Sequence, residues 1–266
     1  MRTEDTTLKD LMNPGAADDF FARRMMNPFD PIADPGQFSL PNALWLMELS
    51  LLVYRRNPSG PSAEQNPHSS TRSTFLEPHK LNEVRFFNRR QDTSDTQAIL
   101  VRSTDGPPWA ALVFRGTEQN PVDVLSDLNV AVIDNVHGGF KQALDVVWDE
   151  IAAELKSLKD VPLFMTGHSL GAALATLAAA RHTPRAVYTF GSPLVGKRTF
   201  VETLHGVPIH CVVDDSDGVT LVPPHVGFEH VGVLRHLTEH PEPPLFLHAE
   251  KVAFDHAPVN YVDRMR

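Results

Sequence analysis

The sequence predicts an α/β fold in which a mostly parallel central sheet carries helices on both faces. Three observations predict it. Apolar strand-like runs alternate with helical patterns from residue 140 onward, the order that builds a parallel sheet beneath helices. A Gly-x-Ser-x-Gly turn, Gly167-His168-Ser169-Leu170-Gly171, stands between one such strand and one such helix. Composition is ordinary for a globular chain: 266 residues, 42% hydrophobic and 21% charged, enough to bury roughly three quarters of the unfolded surface. One domain over residues 41–266 is expected, with residues 1–40 an N-terminal extension packed on it.

The extension is Pro-rich (Pro14, Pro28, Pro31, Pro35) and weakly periodic, with a helix expected near residues 19–26. Its Phe20, Phe21, Met25 and Met26 read as a covering arm buried on the body. Residues 42–54 are a mostly apolar helix, and residues 56–71, dense in Pro, Ser and Asn, a loop. Strands follow at 84–87, 98–103 and 109–114, the last two a hairpin-like pair around Asp105-Gly106-Pro107-Pro108. A long helix over 140–158 shows Ala143, Val147, Ile151 and Leu155 on one stripe. Residues 161–166 form the apolar run before the serine turn, and the Ala/Leu-rich 172–180 the helix after it. Strands at 186–190 and 209–213 flank a helix near 197–204, and a last helix is expected to start near Ala249.

Charge excludes some partners. The formal net charge is −9 and Lys/Arg form no concentrated stripe, so nucleic acid is not expected. No apolar run approaches the roughly 18 residues of a membrane span. Residues 1–30 mix charges and lack an apolar stretch after Arg23-Arg24, unlike a secretory or twin-arginine signal. The one cysteine, Cys211, allows no intrachain disulfide, and a cytoplasmic setting is the expectation.

The Gly-x-Ser-x-Gly pattern is weak by itself, since roughly one chain in ten of this length carries it by accident. Strand, serine turn and helix together form the context of a nucleophile elbow, which lifts a serine hydroxyl above a sheet. Gly167 and Gly171 let strand and helix approach there. A serine needs a base, usually His, held by a carboxylate, and in this arrangement the chain order is Ser, acid, His. The acids Asp214, Asp215 and Asp217 lie just past a strand. The histidines are many: His182, His205, His210, His225, His230, His236, His240, His248 and His256. Order alone leaves the choice open.

Several separated segments resemble the class 3 lipase family of α/β-hydrolases. Leu112-Val113-Phe114-Arg115-Gly116-Thr117 is similar to its strand leading to the oxyanion residue, and Asp123-Val124-Leu125-Ser126-Asp127-Leu128 to its lid-region segment. Val136-His137-Gly138-Gly139-Phe140, Thr166 to Gly171, and Tyr188-Thr189-Phe190-Gly191-Ser192-Pro193-Leu194-Val195-Gly196 resemble three more of its segments. Asp217-Gly218-Val219 with Pro223-Pro224, and Asp255-His256 with Tyr261, resemble its acid and histidine segments. The resemblance spans roughly residues 110–262. It implies Ser169 as nucleophile, Asp217 as triad acid, His256 as base, and the backbone N–H groups of Thr117 and Leu170 as oxyanion hole, with the Thr117 hydroxyl a further donor.

Each assignment has a rival reading. Asp214 or Asp215 can orient the base while Asp217 caps a loop, and His248 can stand in for His256. His168 reads as a packing residue and His137 as a structural hydrogen-bonder. His225, His230, His236, His240 and His248 match no familiar metal-ligand spacing, so no metal is expected. The family departs here at Val124, where many relatives carry Trp, and at Ala172, where Gly is usual.

The resemblance implies a serine carboxylic-ester hydrolase without cofactor, acting on acylglycerol esters, with phospholipid sn-1 and feruloyl esters as alternatives. A catalytically silent binding protein on the same fold is the reading from another class. Its partner is a small-molecule or lipid ester, with transient contact to a lipid interface; the sequence sets no oligomeric state. Residues 122–129 are expected to form a short amphipathic helix at the site mouth, with Val122, Val124, Leu125 and Leu128 on one side and Asp123, Ser126 and Asp127 on the other. With Val124 in place of a large aromatic, less apolar area is covered and interfacial activation should be weak.

Overall fold

A strand that is buried at every position needs cover on both faces, and the central strands of this chain are of that kind. The computed structural model describes residues 21, 27–55, 71–91, 94–117, 131–214, 217–223, 227–237 and 255–265. In chain order the strands are β1 (Leu81–Gln91), β2 (Ser94–Ser103), β3 (Ala110–Phe114), β4 (Val132–Ile133), β5 (Val136–His137), β6 (Leu163–His168), β7 (Ala186–Phe190), β8 (Gly196–Lys197), β9 (Ile209–Val213), β10 (Phe228–Glu229) and β11 (Val233–His236). The helices are α1 (Leu40–Leu52), α2 (Arg72–Leu76), α3 (Gly138–Leu155), α4 (Leu170–Arg181), α5 (Arg198–Thr203) and α6 (Pro258–Arg264).

The main sheet has the order β1-β2-β3-β6-β7-β9-β11. β1, β2 and β3 are antiparallel, and from β3 through β11 every neighbour is parallel. All residues of β3, β6, β7 and β9 are buried. Side chains alternate between two cores, as a pleated strand requires. Ala111, Val113, Phe164, Ala186, Tyr188 and Val212 face the core that holds α1 and α6. Leu112, Phe114, Leu163, Met165 and Val187 face the core of α3 and α4. The stripe Ala143, Val147, Ile151 and Leu155 of α3 is buried, as its period requires.

Residues 27–38 cross the ends of the parallel strands where they begin. Phe29 stacks on Trp109 at 3.9 Å and meets Phe164 edge-on at 4.9 Å. Arg185 donates to the carbonyls of Ile32 and Ala33, and His210 Nε2 to that of Pro35. Phe21 is buried beside Trp45 and His79, and its N–H donates to the buried Glu48 carboxylate at 3.0 Å. The helix expected at 19–26 does not run through Phe21, whose φ is +55°; its neighbours on either side, with Phe20, Met25 and Met26, lie outside the described residues.

Other departures have local causes. A second sheet, β10-β8-β5-β4, was not foreseen, because strands of two residues carry no periodicity. β11 was missed because it is largely exposed at the sheet edge, with Val233 52% and Leu234 39% accessible. β1 runs well beyond 84–87, since its antiparallel partner β2 supplies the pairing. The last helix seen begins with Pro258, a residue suited to the first helical turn; a start near Ala249 lies outside the described residues.

Candidate active site

Strand register brings distant segments to one edge. Phe114 pairs with Gly167, His168 with Phe190, and Phe190 with Val212. The residues that follow these pairs therefore emerge side by side at the carboxyl ends of parallel strands: Thr117, Ser169, Gly191 and Asp214. Open α/β sheets place their sites there.

Ser169 sits on the turn between β6 and α4 with φ 60° and ψ −128°, a conformation costly for a residue with a Cβ. Close packing enforces it. A Cβ on Gly167 would lie 2.3 Å from Gly171 backbone atoms, and one on Gly171 2.2 Å from the Phe114 carbonyl oxygen. The Ser169 N–H donates to the Phe190 carbonyl at 3.0 Å, tying the turn to β7. Leu170 opens α4, so its N–H belongs to the first helical turn, where donors lack intrahelical acceptors. Thr117, half-buried, follows the end of β3 beside that turn.

Asp217 caps a 3-10 turn over Gly218–Leu221, its Oδ1 accepting from the Val219 N–H at 2.9 Å. Its Oδ2 accepts from His256 Nδ1 at 2.7 Å and from the Tyr261 hydroxyl at 2.6 Å. Both Asp217 and His256 are fully buried. Asp217 thus caps a turn and also holds a histidine; the two readings are not exclusive. Ser169 Oγ and His256 Nε2 are buried and find no hydrogen-bond partner among the described residues. Catalytic hydrogen bonds are often open before substrate arrives. Gly191 closes the back of the pair with φ +55°, and a Cβ there would lie 2.9 Å from Asp217 Oδ2 and 3.0 Å from His256 Cε1.

Asp214 does not meet His256. Its carboxylate pairs with Arg264 of α6, which also reaches Asp255 at 3.2 Å. Asp215 and His248 lie outside the described residues, as do Val122, Val124, Leu125 and Leu128. His168 is more than packing: it is buried, its Nε2 lies 2.7 Å from the His256 carbonyl oxygen and its Nδ1 3.2 Å from the Tyr54 hydroxyl. His137 is buried and stacked on Phe140 at 4.1 Å. Of the histidines weighed for metal, His230 and His236 are described; His230 Nδ1 lies 3.7 Å from Cys211 Sγ. Among the described residues no group of three His, Cys, Asp or Glu is placed to hold a metal ion. The Cys211 thiol is pushed up to about 11 by burial, which leaves it protonated near neutrality. Tyr54 was not singled out from sequence, where nothing links residues 114 positions apart.

Residues 111–227 match the family described as lipase (class 3). A lipase of Rhizopus niveus is 33% identical over 162 residues, covering 53% of this chain and 41% of that protein. Over these segments the chain is similar to class 3 lipases. A chloroplastic phospholipase A(1) of Arabidopsis thaliana is 36% identical over 138 residues, 48% of this chain and 29% of that protein. The chain spans less than half the length of these two curated relatives. Among solved structures, lipase II from Rhizopus niveus superposes with a TM-score of 0.54 at 28% identity, covering 64% of this chain and 71% of that one. A triacylglycerol lipase whose catalytic centre is a serine protease triad gives 0.60 at 25% identity, over 74% and 79%. The fold of this chain is the α/β-hydrolase fold these structures share.

Proposed function

We propose that this protein is a serine carboxylic-ester hydrolase of the class 3 lipase type that cleaves acylglycerol esters through an acyl-enzyme. The observation that carries the reading is the 2.7 Å bond from His256 Nδ1 to Asp217 Oδ2, with His256 Nε2 and the elbow hydroxyl of Ser169 each buried and without a hydrogen-bond partner among the described residues. His256 Nε2 takes the Ser169 proton as Oγ attacks the ester carbonyl, and Asp217 stabilises the imidazolium. The oxyanion rests on the N–H groups of Thr117 and Leu170, each such donor commonly worth about 2.7–4 kcal/mol. The alcohol leaves with the proton from His256, and water activated by the same nitrogen releases the acid. Every step uses groups of the chain itself.

Relatives support the ester class. A protein of Malassezia restricta, 31% identical over 144 residues, is named a secreted mono- and diacylglycerol lipase. The Arabidopsis phospholipase A(1) favours phospholipid sn-1 esters as the second reading. The cytoplasmic placement expected from sequence draws no support from these relatives, one named secreted and one chloroplastic. Among the described residues no helix is long and apolar enough to cross a membrane.

A fluorophosphonate probe should label Ser169, and Ser169→Ala and His256→Ala should each abolish turnover of a soluble ester. The double variant should be little worse than either single one, because the groups act as a unit. Folded wild-type protein that neither labels nor turns over ester is the silent binding protein instead. Triacyl-, diacyl- and phospholipid substrates then rank the ester, and rates taken through the solubility limit of a sparingly soluble ester should rise smoothly if residues 122–129 cover little apolar area.

A further inference from the structure

Among the described residues, two hydrogen bonds hold His256. One is its side-chain bond to Asp217; the other is made by its main chain, and its partner is the residue next to Ser169. His168 Nε2 lies 2.7 Å from the His256 carbonyl oxygen, and the two imidazole rings stand 4.4 Å apart between centroids. A carbonyl oxygen only accepts, so Nε2 must carry a proton and donate it. His168 is held well below the ordinary imidazole range, first by burial and then by its neighbour His256, so it is neutral and has one N–H. Its Nδ1 must then accept, and the group 3.2 Å away that can donate is the Tyr54 hydroxyl. The tautomer follows from the two bonds of a neutral ring.

Tyr54 sits just past the end of α1, and its hydroxyl touches a second element of the site. A Cβ on Gly116 would lie 2.0 Å from that hydroxyl and 2.7 Å from the His168 carbonyl oxygen. Gly116 precedes Thr117, the expected oxyanion donor. One buried hydroxyl therefore packs on the oxyanion segment and bonds to the elbow histidine, which in turn holds the main chain of the base. We propose that His168, oriented by Tyr54, is a positioning residue: it fixes the main chain of His256 relative to Ser169 and so sets the reach of the base to the nucleophile. This rests on the reading of Ser169 and His256 as nucleophile and base. His168 touches no reacting atom; it acts through His256.

The consequence differs from that of a residue that only fills space. A misplacement of the base of about 1 Å can cost on the order of a hundredfold in rate without touching substrate affinity. Three variants of the full chain separate the cases. His168→Leu keeps volume but cannot donate; His168→Gln places an amide N–H near Nε2 and can donate; Tyr54→Phe removes only the hydroxyl. Competent sites are counted by fluorophosphonate titration, so that kcat is taken per reactive site and a misfolded fraction is discounted. We expect kcat for a soluble ester to fall about 10- to 100-fold in His168→Leu with KM within about twofold, and most of the loss to return in His168→Gln. Tyr54→Phe, in which His168 keeps one partner, should lose less, about 3- to 10-fold. If His168→Leu does not fold, the Tyr54→Phe and His168→Gln values decide. Kcat per site within twofold of wild type in each variant that folds overturns the proposal, as does a loss in His168→Leu that His168→Gln does not restore. Wild-type protein that neither labels nor turns over ester overturns the underlying reading, and this inference with it.

Discussion

At Gly191 two constraints coincide in one residue. Its φ of +55° is a conformation that costs a residue with a Cβ roughly 1–2 kcal/mol, and the Cβ itself would press within 3.0 Å of Asp217, His256 and Tyr261. Gly191→Ala should therefore lower the thermal midpoint by only a few degrees. Its effect on kcat should be larger, tens of fold or more, because the atoms displaced are those that aim the base. Thermal unfolding and soluble-ester kinetics on the same preparation check the split. A variant with full activity and a lowered midpoint would mean that the acid–histidine pair tolerates the push.

Helix α6 meets both Asp217 and Asp214. Tyr261 donates to Asp217 and its oxygen accepts from the Asp214 N–H at 3.2 Å, while Arg264, one turn on, pairs with Asp214 and Asp255. A cation in the last turn also meets the negative end of the helix dipole. Asp214 is fully buried, so removing Arg264 leaves a carboxylate without that counter-charge. Breaking a buried pair in this way costs about 3–5 kcal/mol, and the low end applies because Arg264 is 30% exposed. Arg264→Met should lose about that much in urea unfolding, and Asp214→Asn with Arg264→Met should recover part of it. No recovery in the double variant would mean that the loss is packing of the Arg264 stem rather than the stranded charge.

The whole molecule carries a pH dependence through its buried histidines. Burial lowers the proton affinity of His168 most, and of His210 and His230 in the same direction. The unfolded chain takes up protons at these residues near pH 6.5 while the folded chain does not, so the unfolded state gains as pH falls. Above that pH the difference vanishes. Below it, each fully buried histidine removes about 1.4 kcal/mol of stability per pH unit until its folded form titrates. Urea unfolding at pH 7.5 and pH 5.5 should show the loss, and His168→Gln should reduce the slope by up to one proton. An unchanged slope in that variant would mean that His168 is already charged in the folded protein, against the tautomer argued from its two bonds.

The strand–turn–helix around Ser169 was legible in the sequence, because it is a local device: strand, two glycines and helix are all within a dozen residues of the serine. The sheet was legible where strands are buried on both faces, since β3, β6, β7 and β9 leave short, mostly apolar runs. The arrangement of the site was not legible from residue order. Asp214 and Asp217 are three residues apart and chemically identical, yet one meets Arg264 and the other His256. The resemblance to a family pointed to Asp217, and in the fold the turn that Asp217 caps presents its carboxylate to His256 and Tyr261, while Asp214 meets Arg264 farther along α6. Tyr54 and His168 meet across 114 positions, and the two-residue strands of the second sheet exist only through their partners. Local periodicity reports which face of an element is buried. Which side chains face each other at the ends of strands is set by register and by close approach of backbones, and those are properties of the packed molecule alone.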